Sequence, residues 1–142
     1  MKYNPDSLII AVDFDGTIVD HEYPKIGKEK LFAFATLKRL NEQGHKLILW
    51  TYRAGPLLDE AVNYCRDNGV EFYAVNESFP GEKLDDKTSR KINADLFIDD
   101  RNVGGFLGWD KIWKLINGEE ITEEDKVRSA EKKSFWDKLK GK

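Results

Sequence analysis

The stretch Leu8-Ile9-Ile10-Ala11-Val12-Asp13-Phe14-Asp15-Gly16-Thr17 decides how this chain is read. An unbroken apolar run ending in a cluster of polar and turn-forming residues describes a buried strand that delivers something chemical at its end. Strand side chains alternate, so Asp13 and Asp15 project from the same side while Phe14 points away into packing. Two carboxylates that close repel unless a divalent cation, a phosphoryl group or a shared proton compensates them. Gly16 permits a sharp turn after the strand, and the Thr17 hydroxyl can cap it.

Working outward, three more short apolar segments alternate with helical patterns, the signature of a parallel sheet covered by helices. The strands are expected at Leu8–Phe14, Lys46–Thr51, Glu71–Val75 and Asp95–Asp99. Between the first two, Leu31, Phe32, Phe34, Ala35, Leu37 and Leu40 recur at helical spacing over Lys28–Gln43, with Gly44 as the stop. A second helix runs from about Pro56 to Asn68, ended by Gly69, with Leu57, Leu58, Ala61, Val62 and Cys65 on its apolar face. Right-handed crossovers put the second strand beside the first, the third beyond it, and the fourth on the first strand's other side. The expected fold is therefore α/β, a three-layer Rossmann-like parallel sheet with helices on both faces. Ligands in such sheets bind beyond the carboxyl ends of the strands, where strand order reverses. Asp13, Asp15, Thr51, Asp99 and Asp100 all fall on that edge.

The chain has 142 residues, enough for one compact core without staples. A formal net charge of -3 gives no overall basic field, so there is no strong nucleic-acid signal and any anion must be held locally. The single cysteine, Cys65, excludes an intramolecular disulfide and reads as a small core thiol suited to a reducing cytosol. Residues 1–7 are polar, and no apolar run reaches membrane-spanning length, so a soluble cytoplasmic protein is expected. Residues 1–118 are assigned to the core domain and 119–142 to a highly charged helical extension with Phe135, Trp136 and Leu139 on one side. Trp109, Trp113, Leu115 and Ile116 form a packing face at helical intervals after Gly108.

Asp13-Phe14-Asp15-Gly16-Thr17, then Thr51 after Leu47-Ile48-Leu49-Trp50, then Asp99-Asp100 after Asp95-Leu96-Phe97-Ile98, resembles the motif order of the haloacid dehalogenase (HAD) superfamily of aspartate-nucleophile phosphotransferases. The likeness spans Leu8 to about Asn102. It implies a phosphatase that works through an aspartyl-phosphate on Asp13. A carboxylate attacking phosphorus in line splits one difficult transfer into two easier ones, and a second acid two residues on can protonate the leaving alkoxide and later deprotonate water. Asp15 fits that second role. Pumps of the superfamily carry threonine at that position, so the acid favours hydrolysis of the intermediate. A cation must bridge the nucleophile and a phosphate dianion, and oxygen-only ligands select Mg2+. Its expected ligands are the Asp13 carboxylate, the Asp15 carbonyl and Asp99, with Asp100 orienting a metal-bound water from behind.

The Thr51 hydroxyl and the amides of the Tyr52-Arg53 turn are expected to hold the non-bridging phosphoryl oxygens, and the Arg53 side chain either clamps a second anionic group or lies on the surface. A lysine should neutralise charge beside the nucleophile. Lys83, Lys87 and Lys91 all precede the fourth strand, with Lys91 preferred on position, and with Lys87 preferred if the Asp86-Lys87-Thr88 run follows the deoxyribonucleotidase branch of the superfamily. Asp20 and His45 show no metal-site spacing, and His21 reads as a solvated histidine on a flap after the first motif, with substrate contact as the alternative. The intervals from Thr17 to Thr51 and from Thr51 to Lys91 leave no room for the cap domain that superfamily members usually carry. A phosphorylated substrate, the loop over Asn76–Arg90, or a neighbouring subunit in a homo-oligomer would then have to cover the site. A second reading is a catalytically weak module that binds Mg2+ and phosphate. A bacterial receiver domain fits less well, because its paired acids come early and this chain's come last.

Overall fold

A computed structural model describes residues 6–120 and Thr122 of this chain. Four parallel strands, β1 (Ile9–Val12), β2 (Lys46–Leu49), β3 (Ala74–Val75) and β4 (Leu96–Ile98), form one sheet in the order β3-β2-β1-β4. That is the order that right-handed crossovers dictate from sequence. In register, Val12 lies between Leu49 and Ile98, so the residues that follow these strands leave the sheet at one edge. Three helices complete the described elements: α1 (Ala33–Glu42), α2 (Gly55–Asp67) and α3 (Trp109–Ile116). The fold is α/β and Rossmann-like, with no cap domain among the described residues.

The strand pleat divides the core in two. Ile10, Val12, Leu47, Leu49 and Ile98 pack with Leu37 and Leu40 of α1, Ala61 and Cys65 of α2, and Trp109 and Ile112 of α3. All three described helices thus share one sheet face. The alternate residues Ala11, Ile48 and Ala74 pack instead with Ile92, backed by Ile9, Trp50, Tyr73 and Ala94. Among the described residues, the second face is met by the irregular 76–95 connection, not by a helix. The direction of travel explains this: β1 to β2 to β3 steps one way across the sheet, and β3 to β4 steps back past β1, so the right-handed return crosses on the opposite face.

The strands are shorter than the apolar runs suggest, but pairing continues past their ends. Tyr73 and Asn76 donate their amides to the carbonyls of Leu47 and Leu49, and Trp50 donates to Val12. Asp95 fastens the start of β4 by exchanging backbone and side-chain bonds with Ile9, whose amide donates to the Asp95 carboxylate at 2.8 Å. The first helix departs more from expectation. Instead of starting at Lys28, it starts at Ala33 after Phe32, whose φ is 67°. Residues 28–30 are taken by another partner: Val19 and Glu29 form an antiparallel bridge, with Lys30 donating to Ile18 and Asp20 donating to Lys28. Those bonds make residues 18–30 a hairpin-like flap over the end of β1, which leaves Leu31 and Phe32 exposed where a longer helix would have buried them.

Cys65 is fully buried and free, and burial pushes its thiol up to about 12. His45 is buried at the amino end of β2, where its Nδ1 accepts the Leu8 amide at 3.0 Å. Burial lowers its pKa, so it is a neutral structural imidazole and not a ligand. Of the expected packing face, Trp109 and Ile116 are buried and Trp113 stacks against Arg39 of α1, while Leu115 is exposed and Ile112 is buried in its place. No described helix is long and apolar enough to cross a membrane. Phe135, Trp136 and Leu139 of the expected C-terminal extension lie outside the described residues.

Candidate functional site

The end of β1 is shaped by a tight turn. Thr17 and Ile18 donate their amides to the Phe14 carbonyl, and Gly16 donates to Val19. Gly16 has φ +85°, and a Cβ placed on it would lie 2.1 Å from Asp100 Oδ2. Glycine is therefore required twice, for its backbone angle and for the room it gives the Asp100 carboxylate. The Thr17 hydroxyl is fully buried and donates to Asp13 Oδ2 at 3.0 Å, lying 3.5 Å from Asp100 Oδ1. From the far side of the core, the Trp109 indole donates to the Thr17 carbonyl at 2.8 Å. The first residue of α3 thus fixes the turn that sets the acids.

Asp13, Asp99 and Asp100 each offer a carboxylate oxygen within 4.8 Å of the others. No lysine, arginine or histidine among the described residues forms an ion pair with them. The consequence is visible on Asp13, whose carboxyl is pushed up to about 8, first by burial, then by a hydrogen bond shared with Asp100 and by the charge of Asp99. A cation among these oxygens would remove that penalty, and three hard oxygen donors with one open side suit Mg2+. Asp100 was expected behind Asp99. Both carboxylates contribute an oxygen to the cluster, and Asp99 Oδ1 also accepts the Arg101 amide at 2.9 Å.

The alternation argument holds for direction, since Phe14 is fully buried between two half-buried acids. The two acids nevertheless have different partners. Asp15 is held by Arg53 in a two-point fork, Nε to Oδ2 at 2.8 Å and Nη2 to Oδ1 at 2.9 Å. Arg53 is 1% exposed, so it neither lies on the surface nor reaches outward to a substrate anion. It also donates to the Leu57 carbonyl at 3.3 Å and the Lys25 carbonyl at 3.0 Å, and its guanidinium faces the rings of Phe14 and Tyr23. It joins the β1 turn, the flap and the start of α2. The hydrogen bonds from the Asp15 carboxylate raise the Arg53 pKa further.

Thr51 stands at the same edge, half-buried, with its hydroxyl accepting the Arg53 amide at 3.2 Å. That bond engages one of the two amides expected to face a phosphoryl group. Asn76, unremarked in the sequence, organises the turn: its Oδ1 accepts the Thr51 amide at 2.8 Å and its Nδ2 donates to the Arg53 carbonyl at 3.4 Å. Its φ of 53° is the left-handed conformation that asparagine tolerates, and a lone Asn at a strand end was the only available signal. Tyr52 is 90% exposed.

The lysine expected beside the nucleophile is not brought there. Lys91 is exposed with its Nζ 5.7 Å from the Phe97 ring centroid, because its neighbour Ile92 turns inward onto the second sheet face and sends Lys91 outward. Lys87 and Lys83 are also exposed on the 76–95 connection, and neither pairs with the acids. His21 is exposed on the flap, as expected, and Asp20 pairs with Lys30 at 3.2 Å.

Fold and site together define a capless parallel α/β domain with an acid cluster at the sheet's carboxyl edge. Its relationships agree with that class. A solved structure, described as that of a conserved protein from Bacteroides thetaiotaomicron, is 54% identical, covering 84% of this chain and 96% of its own, with a TM-score of 0.76. The chain belongs to the family of that conserved protein. No protein-family model and no curated protein matches it.

Proposed function

We propose that this protein is a Mg2+-dependent phosphomonoesterase of the haloacid dehalogenase type, acting through an aspartyl-phosphate on Asp13. The observation that carries the reading is the convergence of Asp13, Asp99 and Asp100 beyond β1 and β4 with no cationic side chain paired to them among the described residues. Bound there, Mg2+ would offset the repulsion between Asp13 and an incoming phosphate dianion. Asp13 attacks phosphorus, the ester oxygen leaves and takes a proton, and water then hydrolyses the acyl phosphate and restores the carboxylate. Thr17 orients the Asp13 carboxylate by donating to its Oδ2. The half-buried Thr51 is in keeping with a contact to the phosphoryl oxygens. A cytoplasmic setting accords with the unpaired Cys65 thiol.

Asp15 remains the residue to move protons, at a cost set by Arg53. A proton on Asp15 cancels the charge that holds the fork, so transfer requires that pair to loosen. This same pair favours the second reading, a module that binds Mg2+ and phosphate with little turnover. One assay separates the two. Release of phosphate from an aryl phosphate, dependent on Mg2+ and lost in Asp13→Asn, supports the enzyme; Mg2+ and vanadate binding without turnover of any ester supports the module. Full turnover by Asp13→Asn refutes the nucleophile.

A further inference from the structure

The geometry points to an aromatic corner, made by Tyr23 and Tyr52, that receives a planar ring carried by the phosphorylated substrate; this rests on the phosphomonoesterase reading and adds a substrate class to it. Tyr52 follows Thr51 directly and is 90% exposed, which leaves most of its ring open to a ligand. Tyr23, 39% exposed, reaches it from the flap with ring centroids 6.2 Å apart and planes inclined at 63°. Two inclined planes form a corner in which a third ring stacks on one face and meets the edge of the other. The corner is anchored to the acids. The Arg53 guanidinium lies 5.3 Å from the Tyr23 centroid, and the same guanidinium is forked onto Asp15, two residues from Asp13. Because Arg53 is buried and its guanidinium is held by bonds to Asp15, Leu57 and Lys25, Tyr23 rests on a rigid support.

Position narrows the ligand further. The contacts from the acids to the corner run through Asp15 and Arg53 to Tyr23, so the ring is taken as joined to phosphorus by a short linker or a sugar. With no cap domain, this corner supplies apolar contact that a small substrate otherwise lacks. The net charge of -3 gives no basic field for a polyanion, which favours a small ring-bearing monoester over a nucleic acid.

The test compares esters with matched leaving groups on the full chain with Mg2+: phenylpropyl phosphate against hexyl phosphate, and adenosine monophosphate against ribose phosphate esterified at the same hydroxyl. In the wild type, the ring-bearing member of a pair is expected to have a kcat/KM about ten-fold higher, carried by KM, as ring stacking allows. Tyr52→Ala, and Tyr23→Ala with it, should bring that ratio to about one, while Tyr52→Phe keeps it. A preference in the first pair alone identifies an aryl group, and in the second alone a nucleobase. A wild-type ratio near one, or a ratio unmoved in the double variant, overturns the corner and leaves the phosphatase standing. If neither ester turns over, calorimetric binding of the same pairs decides: a ring preference lost in Tyr52→Ala keeps the corner and discards the phosphatase, and no ring preference overturns the corner.

Discussion

Replacing Asp13 by asparagine should stabilise the metal-free protein, increasingly so as pH rises. Asp13 is uncharged below its ordinary value of 3.8 in both folded and unfolded chains, so the substitution is nearly neutral there. Between 3.8 and about 8 the folded state holds a proton that the unfolded state releases, and stability falls with pH at up to about 1.4 kcal/mol per unit. Summed over that interval, the ceiling is about 6 kcal/mol, and solvent on the open side of the half-buried carboxylate lowers the expected effect to about 2 kcal/mol. Asparagine keeps an oxygen for the Thr17 hydroxyl and carries no charge toward Asp99 and Asp100. Urea unfolding in EDTA at several pH values from 4 to 9 reads the difference directly. The advantage of Asp13→Asn should grow from near zero and level off above pH 8. Adding Mg2+ should reverse the order, because only the wild type retains all three carboxylates. A variant less stable than the wild type at pH 9 in EDTA, or a difference that ignores pH, would refute the account of an uncompensated acid cluster.

Removing Arg53 strands Asp15 in a half-buried site, so Arg53→Met is expected to cost about 3–5 kcal/mol in denaturant unfolding, and Arg53→Lys to recover only part, since lysine cannot form the fork. Gly16→Ala places a methyl group against Asp100 at a positive φ; a loss of about 1–3 kcal/mol should come with weakened Mg2+ binding by calorimetry. Trp109→Phe removes the bond to the Thr17 carbonyl across a filled core, with an expected loss of about 1–2 kcal/mol in thermal unfolding. Cys65, with its thiol pushed up to about 12, should resist thiol reagents in the native protein and react once it is unfolded, as an absorbance assay with a disulfide reagent would show.

The sequence by itself determined the parallel sheet, its strand order and the carboxyl edge at which Asp13, Asp15, Thr51, Asp99 and Asp100 gather. These follow from local patterns, an apolar run, a turn and a crossover hand, each confined to a few neighbouring residues. Tertiary structure decided the partners. Arg53 reaches Asp15 from 38 positions away and becomes a buried strut where a surface or substrate-facing arginine was expected. Asn76 and Trp109 hold the turns that set Thr51 and Thr17, and nothing local to either names the partner it holds. Lys91 misses the acids because Ile92 must face the sheet, and α1 begins late because Glu29 pairs with Val19. A side chain's periodicity fixes its direction from the backbone, but its partner depends on which distant segment the folded chain brings within hydrogen-bonding reach.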